Sequence, residues 1–239
     1  MKLTKEQQNA TRALWHPGYS AVQVVAAAGS GKTSTLVSAI EYASEQIDAN
    51  QIGVITFSRR AAAELKERIG RARPGFVGTM HALAASLLRR AGKQFSILDN
   101  REQVLKELCK QHFARYNEVP AELLAVGTIL TANERQTLFE AYTSFKKTRQ
   151  IYDFDDLIEQ ASSQGFAGRY ACLFVDEFQD TSEHQVAFMK SLEPERLFVV
   201  ISPSLTTQLS PLTFFLPSIN PSNPITRRFF IKAHSFKYN

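Results

Sequence analysis

The sequence predicts an α/β fold with a parallel sheet that is interrupted by a helical insertion. Short, nearly continuous apolar runs, as expected of strands buried on both faces, occur at residues 22–25, 52–57, 171–175 and 197–201. Apolar residues at helical spacing follow the first two runs: Leu36, Ile40 and Ala43, then Ala62, Leu65 and Ile69. Strand runs that alternate with helical segments are typical of βαβ units, so a parallel sheet is expected.

The strand signal is lost between residues 81 and 150, where amphipathic helical spacing replaces it. We therefore expect four segments: the first part of the α/β domain at 1–80, a helical domain at 81–150, the second part of the α/β domain at 151–200, and a tail at 201–239. The tail contains scattered prolines and no sustained period, so we expect it to be poorly ordered.

Composition excludes several classes of protein. Lys and Arg number 28 against 23 Asp and Glu, and the resulting net charge of +5 favours a polyanionic partner only weakly. The two cysteines lack the spacing of a zinc site or a disulfide framework. The N-terminus has no apolar signal segment and no run of eighteen apolar residues occurs, so we expect a cytoplasmic protein with no membrane contact.

A phosphate-binding loop directly follows the first strand run. Residues 26–33 read A-A-A-G-S-G-K-T, a P-loop in which alanine replaces the usual first glycine. Its glycines let backbone N–H groups face a phosphate, its lysine would reach the β and γ phosphates, and its threonine would hold Mg²⁺. The predicted nucleotide contacts are Ala28, Gly29, Ser30, Gly31, Lys32, Thr33 and Ser34. The alternative is a Gly/Ser turn that binds nothing.

A pair of carboxylates follows the third strand run. Asp176 would bind Mg²⁺, and Glu177 would orient and deprotonate the water that attacks the γ-phosphate. Adjacent carboxylates at a strand end are otherwise common in solvated loops. Together with the P-loop, they predict hydrolysis of a nucleoside triphosphate. We expect Lys32 and both carboxylates to converge at neighbouring strand ends.

The carboxylate pair continues as D-E-F-Q-D-T at residues 176–181, which resembles the UvrD/PcrA/Rep-like helicases of superfamily 1. The resemblance covers about residues 3–200. It implies a RecA-like P-loop NTPase domain 1A interrupted by helical domain 1B, with ATP and Mg²⁺ as cofactors. It also implies 3′ to 5′ movement along single-stranded DNA, with Gln179 sensing the γ-phosphate. The implied partner is single-stranded DNA or a single-strand/double-strand junction, bound by a monomer.

Residues 3–10, L-T-K-E-Q-Q-N-A, resemble the Q motif of this family, so Gln7 would select adenine. The alternative is a helix cap at Thr4.

Two further segments resemble the DNA-contacting motifs of the family. T-F-S-R-R-A-A at residues 56–62 resembles motif Ia, although Arg59 replaces the usual asparagine, and G-T-M-H at 78–81 resembles motif Ib. The residues expected to contact DNA are Phe57, Ser58, Arg60, Thr79 and His81. Alternatively, Phe57 is a core residue at its strand end and His81 is structural. Y-D-F-D-D-L at residues 152–157 also resembles the family, and its acids could cap a helix.

The resemblance ends after residue 200, where the family has a glycine-aspartate pair and then a glutamine. One hypothesis is a shifted reading frame, because residues 199–202, V-V-I-S, can be encoded as GTG-GTG-ATC-AGC, which contains the codons for Gly-Asp-Gln two bases later. Without this motif and a second RecA-like domain, we expect these residues alone to hydrolyse ATP slowly and not to unwind DNA. The alternative function is a non-catalytic, ATP-dependent module that binds DNA or a helicase. A kinase or GTPase is disfavoured because no N-K-x-D motif occurs.

Overall fold

The computed structural model describes residues 3–27, 29–70, 72–118, 130–202 and 226–231. The strands are β1 (Ala21–Ala26), β2 (Ile52–Thr56), β3 (Phe76–Thr79), β4 (Ser96–Ile97), β5 (Ile151–Tyr152), β6 (Cys172–Val175), β7 (Arg196–Ile201) and β8 (Thr226–Ile231). The α-helices are α1 (Lys5–Ala13), α2 (Lys32–Ser44), α3 (Arg59–Arg68), α4 (Met80–Arg90), α5 (Arg101–His112), α6 (Ala132–Arg149), α7 (Phe154–Ser163) and α8 (Glu183–Ser191). Short 3₁₀ helices lie at Ala49–Gln51, Ala114–Tyr116 and Phe178–Asp180.

The main sheet has six strands in the order β3-β2-β6-β7-β1-β8, and each pair of neighbours is parallel. Its central strands are buried along almost their whole length, which explains their continuous apolar runs. The predicted α/β class with a parallel sheet is therefore confirmed. No helix among the described residues is long and apolar enough to cross a membrane.

The chain divides into two compact units, residues 1–88 with 158–239 and residues 89–157. The first unit contains the six-stranded sheet, whose core includes Leu36, Ile40, Phe174 and Phe198. The second contains α5, α6 and the two-stranded sheet β4–β5, and its own core includes Leu108, Leu138 and Tyr142. The domain boundaries expected at residues 80, 150 and 200 stay predictions.

Several strands differ from the sequence-based expectation. β2 ends at Thr56, so Phe57 lies beyond the strand that was predicted to include it. β3 was not predicted, because its four residues are too short and too exposed to give a continuous apolar run. β4 lies within the segment expected to be helical, and with only two residues it has no detectable period.

The expectation of a poorly ordered tail stays a prediction, although the tail contains one described strand, β8. This strand pairs in parallel with the edge of β1, from Ala21 opposite Thr226 to Ala26 opposite Ile231. The pairing gives hydrogen-bond partners to backbone groups that the edge of β1 would otherwise expose. The rest of the tail beyond Ser202 lies outside the described residues.

A buried polar network stabilises the second unit. Asp153 is buried and accepts hydrogen bonds from the Tyr142 hydroxyl and the Lys146 ammonium, each at 2.9 Å. Lys146 also donates to Asp156, and Asp153 caps the next helix by accepting the Asp156 backbone N–H. Burial alone would raise the pKa of Asp153, but these hydrogen bonds and the lysine charge lower it to about 2. The helix-cap interpretation is therefore confirmed for Asp153 and Asp156, whereas Asp155 pairs with Arg101.

Candidate functional site

The carboxyl ends of the parallel strands place the predicted nucleotide residues along one edge of the sheet. The P-loop follows β1, the carboxylate pair follows β6, and Ser202 follows β7, which lies between those two strands. This is the edge of an open α/β sheet at which ligands bind.

The P-loop needs left-handed backbone at two positions, and glycine occupies both. Gly29 has a φ of 74° and Gly31 a φ of 84°, values that L-residues rarely adopt. Ala26, by contrast, is the last residue of β1 and has extended backbone, which explains why alanine can replace the usual glycine there. The predicted contact Ala28 lies outside the described residues.

The start of α2 leaves its N–H groups available for an anion. Gly31 is the N-cap, no side chain caps this terminus, and no acidic residue lies in the first turn. The first turn therefore presents uncapped N–H groups and the positive end of the helix dipole, on the residues Lys32, Thr33 and Ser34. Phosphate binds favourably at such a terminus.

Lys32 and Glu177 meet although they are far apart along the chain. The Lys32 Nζ lies 3.2 Å from Glu177 Oε1, and Lys32 also donates a short hydrogen bond to the Ser202 hydroxyl. The structure thus brings the P-loop lysine and the second carboxylate of the predicted pair together.

Glu177 combines left-handed backbone with a carboxylate that is held by several hydrogen bonds. Its φ of 49° is unusual for a residue with a side chain, and its N–H donates to Asp176 Oδ1 at 3.1 Å. Glu177 Oε2 accepts hydrogen bonds from Gln179 Nε2 at 2.7 Å and from the Ser202 hydroxyl at 2.9 Å. Burial alone would raise the pKa of Glu177, but hydrogen bonds from Gln179, Ser202 and Lys32 lower it below its usual value. Glu177 is therefore ionised at neutral pH.

Asp176 has the opposite electrostatic environment. Burial, together with the neighbouring Glu177 charge, raises its pKa to about 6, and the Glu177 N–H and the Lys32 charge oppose this only in part. A buried carboxylate with an unfavourable charge gains stability from a cation beside it. Mg²⁺ is such a cation, and it is commonly bound by one or two carboxylates together with substrate phosphates.

Sequence reasoning missed the role of Ser202 in this site. Its hydroxyl contacts Lys32 and Glu177, and its backbone N–H donates to Gln179 Oε1 at 3.1 Å. The sequence did indicate that Ser202 directly follows a buried strand. However, a serine at this position matches no phosphate-binding or metal-binding motif. In the sequence, Ser202 is visible only as a departure from the family pattern.

Gln7 links the first helix to the P-loop. Its Oε1 accepts the Thr4 N–H at 2.8 Å while the Thr4 hydroxyl accepts the Gln7 N–H at 3.2 Å, so the helix cap considered from the sequence is confirmed as a capping box. Its Nε2 donates to the Ser30 carbonyl at 2.9 Å. The hydrogen bond to Ser30 places the Gln7 amide beside the P-loop. Adenine recognition by Gln7 stays a prediction.

Replacing Gly31 with alanine is expected to weaken ATP binding and to lower the melting temperature. A Cβ at this position would lie 2.6 Å from Gln7 Nε2, and the φ of 84° is strained for alanine. Gly92→Ala is a matched control because Gly92 has a φ of 80° and open space around a new Cβ. Thermal unfolding and nucleotide titration would check this: Gly92→Ala should lose only stability, and equal ATP affinity in both variants would contradict the expectation.

The predicted DNA residues lie at or directly after the carboxyl ends of β2 and β3, at the same edge of the sheet. Thr56 and Thr79 are register partners at the ends of these strands. Phe57 is 68% exposed, so the alternative of a core residue is wrong for it. Ser58 and Thr79 also have local roles, because each hydroxyl accepts an N–H from the first turn of the helix that follows. Arg60 is exposed and His81 is half-buried.

Comparisons with known proteins identify a matching family model and similar proteins. The family model of the UvrD/REP helicase N-terminal domain matches residues 3–124 and 110–201. The ATP-dependent DNA helicase PcrA of Leuconostoc citreum is 30% identical over 213 residues, which cover 71% of this chain and 28% of that protein. The ATP-dependent DNA helicase Rep of Salmonella typhimurium is 27% identical over 242 residues, which cover 82% of this chain and 35% of that protein.

Among solved structures, the Pif1 helicase of Candida albicans is similar with a TM-score of 0.43 and 13% identity, over 97% of this chain and 40% of that chain. The chain spans about a third of the length of the curated relatives it matches, from 28% to 36% for those with the names PcrA and Rep.

Proposed function

Because this chain belongs to the UvrD/REP helicase family, we propose that it contains the ATP-binding region of a 3′ to 5′ DNA helicase or single-strand translocase. The observation that carries this proposal is the meeting of Lys32 and Glu177 across the sheet edge, 3.2 Å apart. The relatives PcrA and Rep are ATP-dependent DNA helicases by name, and their family supports the same chemistry here.

In the proposed reaction, water attacks the γ-phosphorus of ATP. Glu177 accepts a proton from that water, a new P–O bond forms, and the bond between the γ-phosphorus and the β-γ bridging oxygen breaks to release ADP and phosphate. Lys32 and the N–H groups of the first turn of α2 neutralise charge on the phosphates. Glu177 suits the role of base because it is ionised and held by hydrogen bonds.

Thr33 and Asp176 would hold Mg²⁺ together with phosphate oxygens and water. The donor set fits this ion, because a hydroxyl and a carboxylate are hard oxygen ligands. Bound Mg²⁺ would polarise the phosphate oxygens.

Titration of the chain with a fluorescent ATP analogue, with and without Mg²⁺, tests the nucleotide part of the proposal. We expect Mg²⁺-dependent binding and hydrolysis that single-stranded DNA stimulates. Failure to bind nucleotide in the presence of Mg²⁺ would contradict the proposal. Binding without any turnover, in the presence or absence of DNA, would favour the non-catalytic module instead.

We propose that these 239 residues by themselves hydrolyse ATP slowly and do not unwind DNA. The relatives are about three times as long, and a second domain commonly supplies the arginine that completes such an ATP site. Loss of an arginine of this kind typically costs roughly a thousandfold or more in turnover. Strand separation by the chain alone would contradict this part of the proposal.

Replacing Phe57 with alanine is expected to weaken single-stranded DNA binding by about tenfold, because stacking of one base on an aromatic ring contributes roughly 1–3 kcal/mol. Phe139→Ala is a matched control, since Phe139 is 65% exposed against 68% for Phe57 and lies in the second compact unit. Fluorescence anisotropy with a labelled oligonucleotide measures both. An equal loss in the two variants would count against a specific role for Phe57.

A further inference from the structure

We propose that Ser202 is a positioning residue of the nucleotide site, which restrains Lys32 before nucleotide binds and aligns Glu177 for hydrolysis. The proposal rests on the proposed function and adds a residue to it. Ser202 lies where this sequence departs from the family pattern. Its contacts are therefore a feature of this chain and do not follow from the family motif.

Ser202 contacts three side chains of the proposed site at once. Its hydroxyl accepts a hydrogen bond from the Lys32 ammonium and donates its one proton to Glu177 Oε2 at 2.9 Å. Its backbone N–H donates to Gln179 Oε1 at 3.1 Å, and Gln179 Nε2 in turn donates to Glu177 Oε2 at 2.7 Å. The result is a closed set of hydrogen bonds around the Glu177 carboxylate.

The sheet fixes the position of Ser202. It follows Ile201, the last residue of β7, and β7 lies between β6 and β1. The strands on either side lead to Glu177 and to the P-loop, so a short side chain at this point reaches both groups. Serine is long enough to bridge them, whereas alanine at the same position would leave both without this partner.

Lys32 must share or exchange its partners when nucleotide binds. Its ammonium has three protons, and two partners, Ser202 Oγ and Glu177 Oε1, already hold it in place. One proton is left for phosphate, and any further phosphate contact competes with the hydroxyl for the same ammonium. Glu177 also depends on the hydroxyl, because the Ser202 proton helps to aim its carboxylate.

These two dependences predict opposite effects of one substitution. Ser202→Ala removes a competitor for Lys32, so ATP should bind about tenfold to a hundredfold more tightly, as expected for the loss of one hydrogen bond to a charged group. The same substitution removes a hydrogen bond that orients Glu177, so single-turnover hydrolysis should slow by about tenfold. A residue with only a structural role would weaken binding and hydrolysis together.

The experiment compares Ser202→Ala, Ser202→Thr and Ser191→Ala in the full chain, using Mg²⁺ and a fluorescent ATP analogue for affinity and excess protein for single-turnover hydrolysis. Ser202→Thr keeps the hydroxyl and should restore both values to those of the unsubstituted chain. Ser191→Ala is the control, because this half-buried hydroxyl donates to the Phe188 carbonyl at 2.7 Å, within the turn that ends its own helix, and should change neither value.

Tighter binding with slower hydrolysis in Ser202→Ala, restored by threonine, would support the proposal. Weaker or unchanged ATP affinity in Ser202→Ala, or a threonine variant that behaves like alanine, would overturn it while the proposed function stands. If the unsubstituted chain and Ser202→Ala both fail to bind nucleotide, the proposed function fails as well.

Discussion

Replacing Lys32 with alanine is expected to reduce ATP affinity by about a hundredfold. The ammonium is the one side-chain cation that the structure places against the Glu177 carboxylate among the described residues, and it follows the Gly31 cap of α2 directly. Its loss removes charge-assisted contacts to the phosphates, each worth roughly 1.5–3 kcal/mol, where about 1.4 kcal/mol corresponds to a tenfold change. Titration with a fluorescent ATP analogue in the presence of Mg²⁺ measures the effect.

Lys106→Ala is the matched control for this prediction. Lys106 pairs with Glu102 at 2.7 Å, and its side chain is 18% exposed against 15% for Lys32, so both substitutions remove a similarly exposed, paired lysine. Lys106 lies in α5 of the second compact unit, whereas the P-loop belongs to the first. Comparable ATP affinity in the two variants would show that the P-loop lysine does not bind phosphate.

Much of the α/β unit could be predicted because its central strands are buried on both faces. The runs at β1, β2, β6 and β7 are almost entirely apolar, and such runs read clearly in a sequence. β3 and β8 are the two edge strands of the sheet, whose order is β3-β2-β6-β7-β1-β8. An edge strand needs fewer apolar residues than a central one. These strands are held by backbone hydrogen bonds to a neighbouring strand. Almost any residue type can form such bonds, so the sequence gives little sign of the pairing.

The site was predictable where a motif requires particular residue types. Left-handed backbone in the P-loop requires glycine at positions 29 and 31, and phosphate chemistry requires the lysine that follows. The meeting of that lysine with Glu177 followed from the parallel sheet, because carboxyl ends of its strands lie at one edge.

The remaining contacts could not be predicted because they arise only after the strands pair. Glu177 adopts left-handed backbone without being glycine, and no sequence pattern marks that conformation. Ser202 reaches Lys32 across 170 residues of separation through a hydroxyl that is common on any surface. Gln7 fits two patterns, a capping box and an adenine contact, and the sequence alone left both open.

Replacing Glu177 with glutamine is expected to slow ATP hydrolysis by roughly a hundredfold to ten-thousandfold, the usual range for loss of a general base. The amide has nearly the shape of the carboxylate but cannot accept the proton of the attacking water. ATP affinity should be largely retained, because Lys32 and the first turn of α2 are unchanged in sequence. Single-turnover hydrolysis and nucleotide titration on the same samples separate the two quantities.

Glu183→Gln is the control. Glu183 is an exposed acid in the first turn of α8, and its substitution removes the same charge from the same compact unit. It should leave hydrolysis unchanged. The hydrogen bonds that Gln179 and Ser202 donate to Glu177 Oε2 keep this carboxylate ionised and oriented. Loss of the carboxylate should therefore slow the chemical step more than it weakens ATP binding. If Glu177→Gln hydrolyses ATP as fast as Glu183→Gln, another group activates the water, and the carboxylate serves only to hold Lys32.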